Sequence, residues 1–291
     1  MNSRKRLKRL TIGDYIIPAI LILFALLIFL PVWYVFVVAL IPPHVFFQQT
    51  IHLWPSELFF ENFGAILGNP LIHSGFRNTL FVTVISTAYA MFMNVTFAYV
   101  MMKPLPGRRI FWLFLMFTMF FGGGLLPWFL MMVNLGLVNS LWAMILPHGV
   151  SIFSVILMQS YFRTLSPEYE ESAKLDGAGD LRILWSIVLP LCKPMLATLS
   201  LFAAVGGWNR WLEAMLLTHR SALWPLQLVL RNMLNNAALT MEGVPLDARE
   251  GLFTVGLQMA AVIVTMIPII CVYPFLQKYF VKGITLGGVK G

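Results

Sequence analysis

The chain alternates long apolar stretches with short polar segments, and this pattern predicts membrane-spanning helices. Crossing a hydrocarbon core of roughly 30 Å takes about 20 helical residues, and six stretches with few or no charges are long enough. They cover residues 15–41, 79–102, 110–133, 141–162, 194–217 and 252–276. Inside lipid every backbone N–H and C=O needs a partner within the protein, so such runs are expected to be helices. The sequence predicts an all-α integral membrane protein with six transmembrane helices in a single domain, residues 1–291.

The composition fits lipid rather than water as the solvent. Hydrophobic residues make up 59% of the chain and charged residues 11%, which is too little polar surface for a soluble globule of this size. The basic start followed by an apolar run is similar to a secretory signal. That run is too long, however, and no small-residue cleavage pattern follows it. We expect it to remain as an uncleaved first span.

Most Lys and Arg residues lie in segments that are predicted to be on the same side of the membrane. Five precede the first span, three lie in 103–109, four in 163–193 and three after residue 276. Residues 42–75 and 134–140 contain none, and residues 218–250 contain only Arg220, Arg231 and Arg249. Because positive residues accumulate on the cytoplasmic side, both termini are predicted to be cytoplasmic. The net charge of +8 therefore reports topology in a lipid membrane, and no nucleic acid partner is expected.

Motifs of enzyme chemistry are missing from the sequence. No G-x-x-x-x-G-K-[ST] phosphate loop occurs, and no lysine follows the glycines at 122–124. There is no H-E-x-x-H or G-x-S-x-G, and the five histidines form no close pair in sequence. Cys192 and Cys271 are predicted at the cytoplasmic edge of one span and inside another, so no disulfide is expected. We expect neither catalysis nor a bound metal or cofactor.

A glycine run predicts a bend in the third span. Gly122, Gly123 and Gly124 are flexible, and Pro127 removes a backbone donor, so the helix should loosen there. Two interpretations stay open: a hinge that lines a pore, or small residues that allow neighbouring helices to pack closely.

The cytoplasmic segment between predicted spans four and five has strong helix-boundary features. Ser166 can cap a first turn, Pro167 suits the first helical position, and Gly177 is a typical stop. Acidic residues fall in the first turn, where the helix dipole favours them: Glu168, Glu170 and Glu171. A second helix is predicted from Asp180 to just before Pro190. The sequence therefore predicts a helix-turn-helix protrusion on the cytoplasmic face.

This segment, residues 165–190, resembles the EAA loop of bacterial ABC importer permeases. Glu171-Ser172-Ala173, three residues, Gly177, nine residues and then Ile187-Val188-Leu189-Pro190 agree with the spacing of that motif. Ser172 departs from the usual alanine. The resemblance implies a coupling helix that docks on an ATP-hydrolysing subunit, whereas the alternative is an ordinary amphipathic helix between two spans. The implied docking residues are Glu171, Ser172, Ala173, Leu175, Asp176, Gly177, Ile187, Leu189 and Pro190.

A wider resemblance covers nearly the whole chain and is to the sugar-type permeases, particularly those of oligosaccharide and polysaccharide importers. It is carried by Gly122–Pro127, Asn139–Ala143, Trp208-Asn209 and the tail 283–291. The resemblance implies a second permease subunit, two ATPase subunits, an extracytoplasmic solute-binding protein and a saccharide substrate. ATP and Mg would be bound by the partner subunits and no cofactor by this chain. The implied location is the bacterial cytoplasmic (inner) membrane.

The resemblance also implies a role for the C-terminal tail and for one outer segment. Gly287, Gly288 and Lys290 would reach the ATPase dimer interface, or else form a disordered tail. Residues 218–250 would face the binding protein.

Polar and aromatic residues inside the spans are candidates for a substrate path, because polar groups in lipid usually face a cavity or another helix. They are Asn94, Gln159, Trp208, Asn209, Arg210, Trp211 and Glu213. The tryptophans could stack on sugars, or only anchor the span at the interface. Arg210 could pair with Glu213 on one helix face, or line the path and favour an acidic saccharide.

A stand-alone secondary transporter is the competing hypothesis, since it would also have six or more spans. No internal repeat supports it. Such a carrier has no need of a cytoplasmic docking helix, so the loop at 165–190 favours the ABC permease.

Overall fold

The computed structural model describes residues 13–241 and 254–288, which form helices and contain no β-strand. The all-α prediction is confirmed for this part of the chain. The α-helices are α1 (Gly13–Ala39), α2 (Pro43–Gln48), α3 (Glu61–Leu67), α4 (Pro70–Val100), α5 (Arg108–Phe120), α6 (Leu125–Asn134), α7 (Ile152–Phe162), α8 (Glu168–Leu175), α9 (Asp180–Ile183), α10 (Leu189–Leu191), α11 (Lys193–Trp208), α12 (Trp211–Leu217), α13 (Leu226–Met241) and α14 (Thr254–Gly288). Short 3₁₀-helices occupy Leu141–Met144, Leu146–His148 and Ser221–Leu223, and a π-helix occupies Leu184–Val188.

Helices α1 and α4 are each long and apolar enough to cross a membrane. The large apolar side chains of α1 between Tyr15 and Leu30 are exposed. A continuous apolar surface of this extent is stable against lipid and not against water. The apolar character predicted for the first two spans is therefore present in the folded chain.

Helix α4, which corresponds to the second predicted span, starts well before the predicted boundary at residue 79. It begins at Pro70, where proline occupies the first helical position. The side chain of Asn69 caps it by accepting a hydrogen bond from the Leu71 N–H at 2.9 Å. Hydropathy alone set the predicted start too late, because the first two turns carry His73 and Arg77.

Three predicted spans are interrupted. The expected bend in the third span is confirmed: α5 and α6 meet at 111° around the glycine run. The fourth consists of the 3₁₀ turns at 141–148 followed by α7, with a bend of 45°. In the fifth, α11 ends at Trp208 and α12 begins at Trp211, so Asn209 and Arg210 lie in a break. The last predicted span falls on α14, a longer helix that includes Pro268 and Pro274.

The described residues group into two compact units. The first comprises residues up to Leu67 together with Leu234–Val264. Its small core contains Val37, Ile41 and Val45. The Asn62 side chain donates to the Ala39 carbonyl at 3.0 Å, so α3 is tied to the end of α1.

The second unit, Gly68–Met233 and Thr265 onward, contains the two candidate sites. Helix α4 lies against α11 and α7. At Gly207 of α11 the backbones approach so closely that a β-carbon would lie 2.8 Å from the Ser86 Oγ. A buried cluster then joins these helices to the segment 165–190 through Phe162, Ala173 and Ile183. This cluster holds the predicted docking loop against the spans.

Candidate functional site

Helix α8 forms where the capping residues predict it. Pro167 has helical dihedral angles, φ −61° and ψ −22°, and the Glu168 N–H donates to the Ser166 Oγ at 3.4 Å. Three carboxylates lie in the first turn, at the positive end of the helix dipole. The start of the predicted helix is confirmed.

The end of α8 is set by Gly177, which has φ +78°. The Ala178 N–H donates to the Ala173 carbonyl at 2.9 Å, and the Gly177 N–H to the Lys174 carbonyl at 3.0 Å. These two bonds form a Schellman motif, which satisfies the last carbonyls of a helix and needs a left-handed residue. The predicted stop at Gly177 is confirmed.

The second helix of the loop was predicted to end before Pro190, and that prediction is wrong. The helical segment runs from Asp180 to Leu191 and meets α11 at 87°. The π-helix at Leu184–Val188 precedes Pro190, and the Leu189 N–H reaches back to the Leu184 carbonyl. The wider turn accommodates a proline that has no N–H and whose ring would clash with the carbonyl four residues earlier.

The predicted docking residues divide into an outward and an inward group. Leu175, at the end of α8, is 90% exposed. Leu181 and Trp185 of the following helical segment are also exposed, and Trp185 stacks on Phe92 of α4. The outward group further contains Glu171, Ser172, Asp176, Gly177 and Pro190. Ala173 is buried, and Ile187 and Leu189 pack against the cluster beneath the loop. The inward residues hold the loop. We name the exposed end of α8, residues 171–177 around Leu175, the tip.

The sequence predicts Lys103 only as one of the positive charges that indicate topology, but in the structure its side chain contacts α8. Its ammonium contacts the Glu170 Oε1 and lies 2.9 Å from the Asp180 Oδ1. It also lies 4.4 Å from the centroid of the Tyr99 ring. Lys174 contacts the same Glu170 oxygen at 2.9 Å. The Lys174–Glu170 pair has the i,i+4 spacing of a helix, but no local sequence pattern could have paired Lys103 with Glu170 or Asp180.

A second candidate site is a cavity of about 380 Å³ among α4, α7 and α11. Its polar lining residues are Asn94, His148, Ser151, Ser154 and Arg210. Arg210 and Glu213, whose pairing was one of two alternatives, each contact another residue, although their charges also interact. Arg210 donates to the Met144 carbonyl, and Glu213 Oε1 lies 3.4 Å from His148 Nε2. His148, which forms no close histidine pair in the sequence, is thus a further candidate residue of this site.

Two predicted path residues have mainly structural contacts. Asn94 is buried; its Oδ1 accepts from the Ser151 N–H at 2.7 Å and its amide donates to the Ala90 carbonyl at 2.6 Å. Gln159 is buried and donates to the Ala98 carbonyl at 3.1 Å. Asn94 therefore supports the wall of the cavity, and Gln159 joins α7 to α4.

The two tryptophans do not form one open surface for sugar stacking. Trp208 is 7% exposed and packs edge-to-face against Phe76. The Trp211 ring is covered by the guanidinium of Arg231, 3.9 Å from its centroid. Asn209 is exposed and donates to the Val205 carbonyl at 2.9 Å. In this conformation Arg210 is the member of the 208–211 segment that lines the cavity.

Two of the predicted tail residues, Gly287 and Gly288, lie in the last turn of α14. Lys290 lies outside the described residues, as do residues 242–250 of the predicted outer segment 218–250.

Comparison with known proteins identifies a matching family and similar proteins from Bacillus subtilis. Residues 62–286 match the family described as binding-protein-dependent transport system inner membrane component. The polygalacturonan/rhamnogalacturonan transport system permease protein YtcP of Bacillus subtilis is 37% identical over 288 residues, covering 96% of this chain and 98% of the relative. Protein LplC of the same organism is 36% identical over 245 residues, covering 84% and 83%.

A solved structure is also similar along nearly the whole chain. It is a chain of a bacterial ABC transporter involved in the import of the acidic polysaccharide alginate. The TM-score is 0.83 and the sequence identity 32%, and the alignment covers 96% of this chain and 100% of that one.

Proposed function

This chain belongs to the family of binding-protein-dependent transport system inner membrane components, and we propose that it forms half of the membrane channel of an importer for acidic oligosaccharides or polysaccharides. It is a permease component of an ABC importer. Its companions would be a second permease subunit, two ATPase subunits and an extracytoplasmic solute-binding protein. ATP and Mg would be bound by the ATPase subunits, and no cofactor by this chain.

The proposed topology has six spans with both termini in the cytoplasm. It is supported by α1 and α4, by the bent helix pairs and by the apolar stretch Val255–Cys271 of α14. It is also supported by the excess of Lys and Arg in the segments assigned to the inside.

The observation that carries the docking role is the exposure of the tip. Leu175, 90% exposed, ends a short capped helix whose opposite side is buried against the spans. An apolar side chain held out on a rigid support is well suited to bury itself in a groove of a partner. The tip would therefore transmit closure of the ATPase pair to the permease.

Docking can be tested by purifying the complex of this chain with the subunits encoded beside it. Leu175→Asp should abolish co-purification of the ATPase subunit, because it places a charge where apolar contact is needed. Leu58→Asp alters an equally apolar, exposed residue in the loop between α2 and α3 and should leave co-purification intact. Retention of the ATPase by Leu175→Asp would reject the docking role of the tip.

The acidic substrate is proposed from Arg210. Arg210 lines the cavity together with His148, and guanidinium groups bind carboxylates well. YtcP is a polygalacturonan/rhamnogalacturonan permease and the similar solved structure belongs to an importer of the acidic polysaccharide alginate, which supports the same class.

The substrate class is tested by uptake into proteoliposomes containing the complete complex. Wild type should transport oligogalacturonides or alginate oligomers in preference to neutral oligosaccharides. Arg210→Gln should lower acidic uptake about tenfold, the size expected for loss of a charged hydrogen bond. Arg210→Lys should keep the preference, and Arg220→Gln, outside the cavity, should not change it. Equal loss of acidic and neutral uptake in Arg210→Gln would contradict an acid-binding role.

A further inference from the structure

Lys103 and its partners form a charged junction between three segments of the chain, which we name the lysine junction: Lys103, Glu170 and Asp180. Lys103 follows α4, Glu170 lies in α8, and Asp180 is the first residue of α9. An ammonium has three N–H donors and can serve several acceptors at once. Here one side chain, 22% exposed, reaches both helices of the docking loop.

Lys103 is itself fixed to α4. Its backbone N–H donates to the Val100 carbonyl at 3.0 Å, which continues the last turn of the helix. The Arg108 guanidinium braces the same turn by donating to the carbonyls of Met102 and Lys103, at 3.3 and 3.4 Å. Because of these hydrogen bonds, a displacement of Lys103 would also displace the cytoplasmic end of α4.

The junction is charged at neutral pH. Partial burial alone would lower the pKa of Lys103, but the hydrogen bonds with Glu170 and Asp180 outweigh it, and the pKa is raised. Burial alone would raise the pKa of Glu170, but the bonds from Lys103 and Lys174 outweigh it, and the pKa is lowered. The bond from Lys103 lowers the pKa of Asp180. Without the lysine, α8 and α9 would present two carboxylates to the same space, and these would repel each other.

The junction lies behind the tip rather than in it. Leu175 projects outward, whereas the Glu170 side chain is only 31% exposed and turns toward Lys103. The junction is therefore placed to carry a displacement of the loop and not to contact the ATPase subunit. Side-chain networks with fixed geometry can carry energetic coupling between two sites.

We propose that Lys103 is a positioning residue that links movement of the docking loop to the cytoplasmic end of α4. The proposal rests on the docking role of the tip. It predicts that removal of the lysine leaves the ATPase subunit bound and active but disconnects it from the transmembrane helices.

The test uses the complete complex, with backbone hydrogen exchange followed before and after trapping with ATP and vanadate. In wild type, exchange should change in α8 and also in the last turns of α4. In Lys103→Met the change in α8 should remain and the change in α4 should be lost. Transport per ATP hydrolysed should fall on the order of tenfold, a typical size for allosteric coupling. Lys103→Arg should restore both, and Lys193→Met, an exposed lysine at the start of α11, should behave as wild type.

A second variant separates coupling from stability. Lys103→Met with Glu170→Gln and Asp180→Asn removes the repulsion between the carboxylates and should recover thermal stability without recovering the response of α4. The proposal is overturned if α4 still responds in Lys103→Met, or if the triple variant regains transport along with stability. A wild-type complex whose α8 does not respond to trapping would instead reject the docking role itself.

Discussion

The Asn139 side chain accepts a hydrogen bond from the His219 backbone N–H at 2.8 Å, and Asn139 itself has a left-handed backbone with φ 55°. The same oxygen accepts from the Arg220 N–H at 3.3 Å, and the Asn139 N–H donates to the Leu217 carbonyl at 2.7 Å. Asn139 thus joins the loop after α6 to the end of α12. Asparagine tolerates this conformation better than most residues with a β-carbon.

Substitutions at Asn139 should separate the hydrogen bonds from the backbone conformation. Asn139→Ala should lower the free energy of unfolding by about 2 kcal/mol, because it loses the acceptor and keeps the strain. Asn139→Asp keeps the acceptor and should cost less. Asn139→Gly relieves the strain and loses only the bonds, so it should fall between the two. Thermal unfolding in detergent measures the order, and an Ala variant as stable as Asp would contradict the role of the side chain.

The crossing of α4 and α11 predicts different effects at two adjacent glycines. A β-carbon on Gly207 would lie 2.8 Å from the Ser86 Oγ and 3.2 Å from the Thr83 Cα, whereas Gly206 has nothing within 4 Å. Gly207→Ala should destabilise the protein by about 1–3 kcal/mol through overpacking. Gly206→Ala should be neutral or slightly stabilising, because alanine favours helix. The comparison of the two melting temperatures tests the close approach, and equal values would refute it.

Local features were predictable from the sequence where neighbouring residues determine them. The ends of α8 follow from Ser166, Pro167 and Gly177, which act within a few residues of their own position. The bend between α5 and α6 follows from the glycine run for the same reason. The late predicted start of α4 shows the limit of hydropathy, because the cap at Asn69 lies outside the apolar run.

The candidate sites depend on contacts between distant residues, and these were not predictable. Arg210 and Glu213 are favourably spaced on an ideal helix, but the break at Asn209–Arg210 changes their directions. Arg210 then reaches Met144 and Glu213 reaches His148. The lysine junction likewise requires α4, α8 and α9 to be packed together first. Sequence spacing gives none of these distances.

The left-handed Gly177 predicts a defined cost for a β-carbon at the end of α8. Gly177→Ala should destabilise the docking loop by about 1 kcal/mol, since a left-handed conformation is unfavourable for alanine. Gly179, with φ −73°, provides the matched control, because alanine fits that conformation and no atom lies near its β-carbon. Hydrogen exchange of the α8 amides should rise in Gly177→Ala and not in Gly179→Ala. Similar exchange in both variants would contradict the Schellman cap.

Because of the lysine junction, part of the free energy of unfolding should depend on pH in the acidic range. The pKa values of Glu170 and Asp180 are lowered from ordinary values of 4.5 and 3.8. Groups with lowered pKa values stabilise the fold above their unfolded pKa, and this contribution is lost as the pH falls through the folded value. The raised pKa of Lys103 has the opposite sign, so its contribution persists from acid through neutral pH and is lost only in strong alkali.

The difference in melting temperature between wild type and Lys103→Met should therefore be constant between about pH 6 and 8 and shrink below about pH 4.5. Lys193→Met, which lies outside the junction, should show no such trend. Since the lysine stays charged throughout this range, protonation of the two carboxylates is what removes its partners. A difference that stays unchanged down to about pH 3 would mean that Lys103 stabilises the loop by packing on Tyr99 and not by its charge.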